Sequence, residues 1–214
     1  MCNLYSMTTN QEAMRRLFRV KSDRLGNQPP LPAIFPDQQA PVVRLDRDGS
    51  RTLDRLRWGF PPPPKVGTRP VTNVRNIASP YWREWLKPGF RCLVPVTSFC
   101  EYTDKQPKVP HWFALDDSRP LFAFAGIWRP WSGTRKGESG EHLLFAFLTT
   151  EANELVRPIH AKAMPVILTG KDFELWLEGG TAEALALARP LPAERLKIVA
   201  KGGRQDGAPA AAGG

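Results

Sequence analysis

Four consecutive prolines at positions 61–64 limit what this chain can become more than any other feature. Each fixes φ at about −65° and lacks an amide N–H. The run Pro61-Pro62-Pro63-Pro64-Lys65-Val66-Gly67 is therefore a rigid turn, excluded from helix interiors and central strands. A second proline-rich stretch, Asn27 to Pro41, holds Pro29, Pro30, Pro32, Pro36 and Pro41 and reads as an extended loop. Between such breaks short strands fit best. Pro41–Leu45, Leu56–Phe60, Arg91–Tyr102, His111–Leu115, Leu121–Trp128, Leu143–Thr149 and Ala163–Leu168 have strand composition. Ser132–Gly140 is polar and Gly-rich, as a hairpin loop would be.

Helices are expected at the ends and edges. Thr9-Asn10-Gln11-Glu12 has the form of a capping box, opening a helix with Met14, Leu17 and Phe18 on one face. Ser79-Pro80 reads as the N-cap and first residue of a short aromatic helix carrying Tyr81, Trp82, Trp85 and Leu86. Thr169-Gly170-Lys171-Asp172 caps another helix, through Leu177. The expected class is α+β: one domain over residues 1–200, with a mostly antiparallel, barrel-like β core and peripheral helices, then a flexible Gly/Ala-rich tail over 201–214.

Composition narrows the function. At 214 residues the chain suits one domain with a sizeable core. No apolar run reaches the roughly 18–20 residues of a membrane span, and no signal peptide precedes the second residue. Cys2, Cys92 and Cys100 are an odd number without CxxC spacing, which indicates neither a disulfide framework nor a zinc site. A cytoplasmic protein without metal or organic cofactor is expected. The formal charge of +9, from 30 Lys+Arg against 21 Asp+Glu, favours a polyanionic partner such as nucleic acid. The basic residues are dispersed, which suits a folded groove better than a basic tail.

The opening Met1-Cys2-Asn3-Leu4-Tyr5 carries the most distinctive chemistry. Methionine is generally trimmed before a small side chain, so Cys2 is the expected mature terminus. It would present an α-amine, titrating near pH 8, beside a thiol with an ordinary pKa of about 8.5. An aldehyde meeting that pair forms an imine with nitrogen, and sulfur then closes a thiazolidine. An amide or ester would be attacked by sulfur. Four further polar residues lie in or beside apolar stretches: Asn73 and Arg75 in Val71-Thr72-Asn73-Val74-Arg75, Glu101 closing Ser98-Phe99-Cys100-Glu101, and His160 after Arg157-Pro158-Ile159. With Cys2 they supply a nucleophile, an orienting amide, a carboxyl acid/base and an imidazole. Singly, each has an ordinary structural explanation; Cys92, Cys100, His111 and His142 are read as structural.

Jointly, these blocks resemble the SOS response-associated peptidase (SRAP) family of abasic-site processing proteins. The resemblance rests on Met1-Cys2, Arg57-Trp58-Gly59-Phe60, Asn73-Val74-Arg75, Phe99-Cys100-Glu101-Tyr102, and Ile159-His160 followed by Met164-Pro165-Val166-Ile167-Leu168. It covers about residues 1–180. This chain departs from the family at Asn3, where many members carry Gly. Its His160-Ala161-Lys162-Ala163-Met164-Pro165 is one residue longer than the common block, with Lys162 in place of arginine. Pro61–Pro64 stand where relatives often have a Trp-bearing loop.

The resemblance implies a protein that links Cys2 covalently to abasic sites in single-stranded DNA; a monomer, associated with the nucleoid when bound, is expected. Cys2, Asn73, Glu101 and His160 are the implied catalytic residues. Arg75, Lys65, Arg69 and Lys162 are expected at phosphates, and Trp58 and Phe60 as faces for flanking bases. Two other enzyme readings stay open, an N-terminal-nucleophile amidohydrolase and a thiol peptidase using Cys2 with His160 and Asn73. A non-covalent single-strand-binding module is the third alternative.

Overall fold

The computed structural model describes residues 2–63 and 67–207. Its strands, in chain order, are β1 (Tyr5–Met7), β2 (Ser22–Asp23), β3 (Leu31–Ile34), β4 (Gln39–Leu45), β5 (Arg51–Trp58), β6 (Asn73–Val74) and β7 (Arg91–Val96). There follow β8 (Ser98–Tyr102), β9 (Pro110–Ala114), β10 (Phe122–Arg135), β11 (Glu138–Thr150), β12 (Met164–Pro165), β13 (Ile167–Leu168) and β14 (Lys197–Lys201). Among the described residues three short α-helices accompany them: α1 (Gln11–Leu17), α2 (Asp172–Glu178) and α3 (Thr181–Leu185). Among the described residues no helix is long and apolar enough to cross a membrane.

The strands form two sheets. One has the order β14-β9-β8-β1-β3. The other runs β12-β11-β10-β7-β4-β5-β2, and β5 also pairs in parallel with β11 through Leu144↔Arg57 and Phe145↔Trp58. That contact closes β11-β10-β7-β4-β5 into a five-stranded barrel. Closure removes two exposed edges at once. The class is α+β with a largely antiparallel, barrel-like core, as the sequence indicates.

Tight spots in the barrel explain two glycines. Gly59, just past β5, has φ +127°, and a Cβ there would meet Pro70 Cβ at 2.7 Å. Gly126 in β10 lets β7 approach; a Cβ would sit 2.7 Å from Cys92 Sγ. Any side chain at either position forces its packed neighbours to shift.

The core joins the two sheets through aromatic rings. Tyr5 of β1 meets Trp58 edge-on at 5.2 Å and Phe124 at 5.8 Å. Phe99 of β8 packs against Phe124 at 5.9 Å, and Trp58 stacks on Phe147 at 5.1 Å. Pairs of this kind contribute about 0.5–1.5 kcal/mol each beyond simple burial.

Several local expectations are corrected. The α1 cap is Asn10, whose side chain accepts from Ala13 N at 2.8 Å, so the Thr9–Glu12 box does not form. Met14 and Phe18 are buried, but Leu17 faces solvent. Within the proline-rich stretch Leu31–Ile34 forms β3, paired to β1, because an edge strand tolerates a missing N–H. The loop assigned to Ser132–Gly140 is mostly strand. Pairing continues to Arg135↔Glu138, leaving Lys136 and Gly137 as a two-residue turn with φ +49° and +81°. Ala163–Leu168 is split: β12 pairs with β11, and β13 with β10.

Candidate active site

Register brings the amino end of the chain to Glu101. β1 pairs with β8 through Tyr5↔Phe99 and Ser6↔Ser98, and Cys100 N donates to Leu4 O at 2.9 Å. Continuing back, this antiparallel ladder carries Asn3 and Cys2 toward Glu101. The Cys2 thiol donates to Leu4 O at 3.5 Å and stands 3.9 Å from Cys100 O. It is wholly buried.

β6 clamps this segment from the other sheet. Two residues suffice for β6 because it lies in parallel along β11, with Asn73 opposite Phe147. Asn73 Nδ2 donates to Cys2 O at 2.9 Å and to Thr72 Oγ1 at 2.8 Å, and the Thr72 hydroxyl reaches Asn3 Oδ1 at 3.4 Å. Asn73 Oδ1 is buried without a partner among the described residues. Beneath, the Trp58 indole N–H holds Thr72 O at 3.0 Å.

Glu101 is 3% exposed, and its Oε1 has no hydrogen-bond partner among the described residues. Burial pushes its pKa up to about 8, so the carboxyl holds its proton at neutral pH. Burial also drives the Cys2 thiol well above its usual range, and Glu101 adds to that once it ionises. At rest the site holds a thiol beside a carboxylic acid.

His160 approaches from the turn after β11, where its amide donates to Val156 O at 2.9 Å. Its Nδ1 is 2.9 Å from Ala163 O. A carbonyl only accepts, so Nδ1 carries the proton and, in the neutral ring, Nε2 bears the lone pair. Glu101 and His160 both line a cavity of about 770 Å³, together with Asn3, Leu4, Thr72 and Arg69. Cys2 lies behind that wall.

Glu101 and His160 thus line the cavity, while Cys2 and Asn73, bonded to each other, adjoin it through their lining neighbours Asn3 and Thr72. The expected DNA-contacting residues are scattered. Arg69 is exposed and lines the cavity. Arg75 and Lys162 are exposed and do not line the cavity itself. Lys65 lies outside the described residues. Trp58 and Phe60 are corrected outright: both are fully buried, so neither offers a face to a base. Their place is structural, Trp58 under Thr72 and Phe60 bridged to Val71 by paired hydrogen bonds of 2.9 Å.

Sequence reasoning passed over two contributors. Thr72 adjoins Asn73 and was visible as another polar residue in an apolar run. Arg204, also in the cavity wall, falls where a flexible tail is expected, and no local signal marks it. Among the described residues no cluster of His, Cys, Asp or Glu is arranged to hold a metal ion.

Comparison with known proteins adds the following. The family model described as SOS response associated peptidase (SRAP) matches residues 1–201. None of the curated proteins matches. A crystal structure from Bordetella bronchiseptica is similar with TM-score 0.75 at 23% identity, over 94% of this chain and 98% of that one. A protein from Bacteroides thetaiotaomicron gives TM-score 0.70 at 25% identity, over 92% and 90%. A phage-related protein from Bordetella bronchiseptica gives TM-score 0.71 at 22% identity, over 92% of each chain. At such identities the likeness speaks for the fold.

Proposed function

The chain belongs to the SOS response associated peptidase (SRAP) family, and from that premise we propose that it protects damaged DNA by linking Cys2 to abasic sites in single strands. The observation that carries the proposal is the convergence, on one cavity, of a buried proton-bearing Glu101, an oriented His160 and the Cys2 segment. Removal of Met1 would give Cys2 the free amine that the reaction requires.

The abasic sugar is mostly a closed hemiacetal and must open first. Glu101, protonated near pH 7, gives a proton to the departing ring oxygen, and His160 Nε2 takes the proton from the C1′ hydroxyl. The Cys2 amine then adds to the aldehyde, and loss of one water leaves an imine. By now Glu101 is a carboxylate next to the thiol and takes its proton. Sulfur adds to the imine carbon, the His160 imidazolium gives its proton to nitrogen, and the thiazolidine closes. No aldehyde remains, so the strand is protected from β-elimination. Asn73 keeps the Cys2 backbone in place, and its unpartnered Oδ1 is suited to accept from the new amine.

The direction of the Cys2 shift argues against a thiol peptidase. Cysteine peptidases depend on a thiolate with a lowered pKa next to a histidine. Here burial and Glu101 both favour the neutral thiol.

The test is an oligonucleotide with one abasic site, incubated with protein and run on a denaturing gel. A band that survives heat and SDS, and vanishes in Cys2→Ala, is expected. An adduct that persists in Cys2→Ala, or none with wild-type protein lacking Met1, overturns the proposal.

A further inference from the structure

The last described residues are not a loose tail. After β14 the chain crosses the end of the smaller sheet, bonding β9, β8 and β3. Gly202 N donates to Pro110 O at 3.0 Å, and the Trp112 indole N–H donates to Gly203 O at 2.9 Å. The Ser98 hydroxyl donates to the Asp206 carboxylate, and Asp206 N reaches Pro32 O at 3.0 Å. Arg119 clamps the same carboxylate twice, at 2.7 and 2.9 Å. This strap joins one end of the β14-β9-β8-β1-β3 sheet to the other.

Between the anchors at Gly203 and Asp206 sits Arg204. Its guanidinium lies over the Phe35 ring, 5.3 Å from the centroid, and it lines the cavity that holds Glu101 and His160. Charge accounting singles it out. Arg44, Arg57, Arg119 and Arg135 each pair with a carboxylate. Asp37, in the cavity wall, is already engaged by Arg135. Among the described residues Arg69, Lys108 and Arg204 line the cavity with no carboxylate partner. Of these three, Arg204 is the one held in place by both a stacked ring and a pinned backbone.

Building on the reading above, we propose that the strap is part of the DNA site and that Arg204 binds a backbone phosphate next to the lesion. A guanidinium suits that role through its planar, forked donors. The folded strap fixes the arginine before DNA arrives, which limits the entropy lost on binding.

The experiment measures non-covalent binding of a single-stranded oligonucleotide with no abasic site, by fluorescence anisotropy across a salt series. Arg204→Ala should weaken binding roughly threefold to tenfold and lower the slope of log K against log salt by about 0.7, the loss of one phosphate contact. Arg204→Glu should weaken it further, and Arg189→Ala, away from the cavity, should match wild type. Wild-type affinity and slope in both Arg204 variants overturn the proposal, as does wild-type protein with no affinity for the strand. The denaturing gel is run in parallel. An adduct that forms normally while Arg204 proves inert sinks only this inference; strand binding through Arg204 without any adduct sinks the capping chemistry instead.

Discussion

Oε2 of Glu101 lies 3.9 Å from Nδ1 of His160, yet the proton on that nitrogen goes to Ala163 O at 2.9 Å. The two groups are neighbours without forming a tight ion pair. The carboxyl is left to hold its own proton, and the imidazole tautomer is set by a backbone carbonyl. Acid and base are thereby kept separate in one cavity.

His160→Gln should therefore slow adduct formation by about 10²-fold, the lower end for a general acid/base. Single-turnover cross-linking rates check this. A rate within threefold of wild type would remove His160 from the mechanism.

The pH profile follows from Glu101. Its carboxyl must be protonated at the first step, with a pKa of about 8. The Cys2 amine must be neutral, with an ordinary value near 8. Cross-linking should then be bell-shaped with a maximum near pH 8. In Glu101→Gln the alkaline limb should disappear, leaving a slower reaction that rises with pH.

Stability depends on the same group. The folded-state pKa is about 8 against an ordinary 4.5, so between those values the folded chain holds a proton that the unfolded chain has released. Stability from this source is complete below about pH 4.5 and declines as pH rises toward 8. The loss is on the order of 3–5 kcal/mol. Glu101→Gln should flatten that decline; urea melts at pH 5.5 and 8.5 measure it, and an unchanged slope would contradict the buried acid.

Trp58→Ala should destabilise the protein by about 3–5 kcal/mol through the cavity it leaves. Trp58→Phe should cost less but still free Thr72 O, and it should retain single-strand affinity once folded. A large affinity loss in stable Trp58→Phe would restore the ring as a DNA contact.

Removing residues 202–214, or substituting Asp206→Ala, should lower stability by about 3 kcal/mol, because Arg119 and Ser98 lose a buried partner. Thermal melts decide it. A tail that contributes nothing would leave the midpoint unmoved.

The residues fix their own chemistry and local preferences, and those parts were legible in the sequence. Cys2, Asn73, Glu101 and His160 announced themselves as reactive or polar groups in apolar company, and alternating strands with proline breaks announced a β-rich core. Burial and long-range pairing are sums over distant neighbours, and no local pattern encodes them. For that reason Trp58 has the composition of a DNA face although β11 covers it, and 201–214 has the composition of a loose tail although Trp112, Ser98, Arg119 and Pro32 hold Gly202–Asp206. Only the tertiary structure made Glu101 an acid that keeps its proton, because its pKa depends on the water its neighbours exclude.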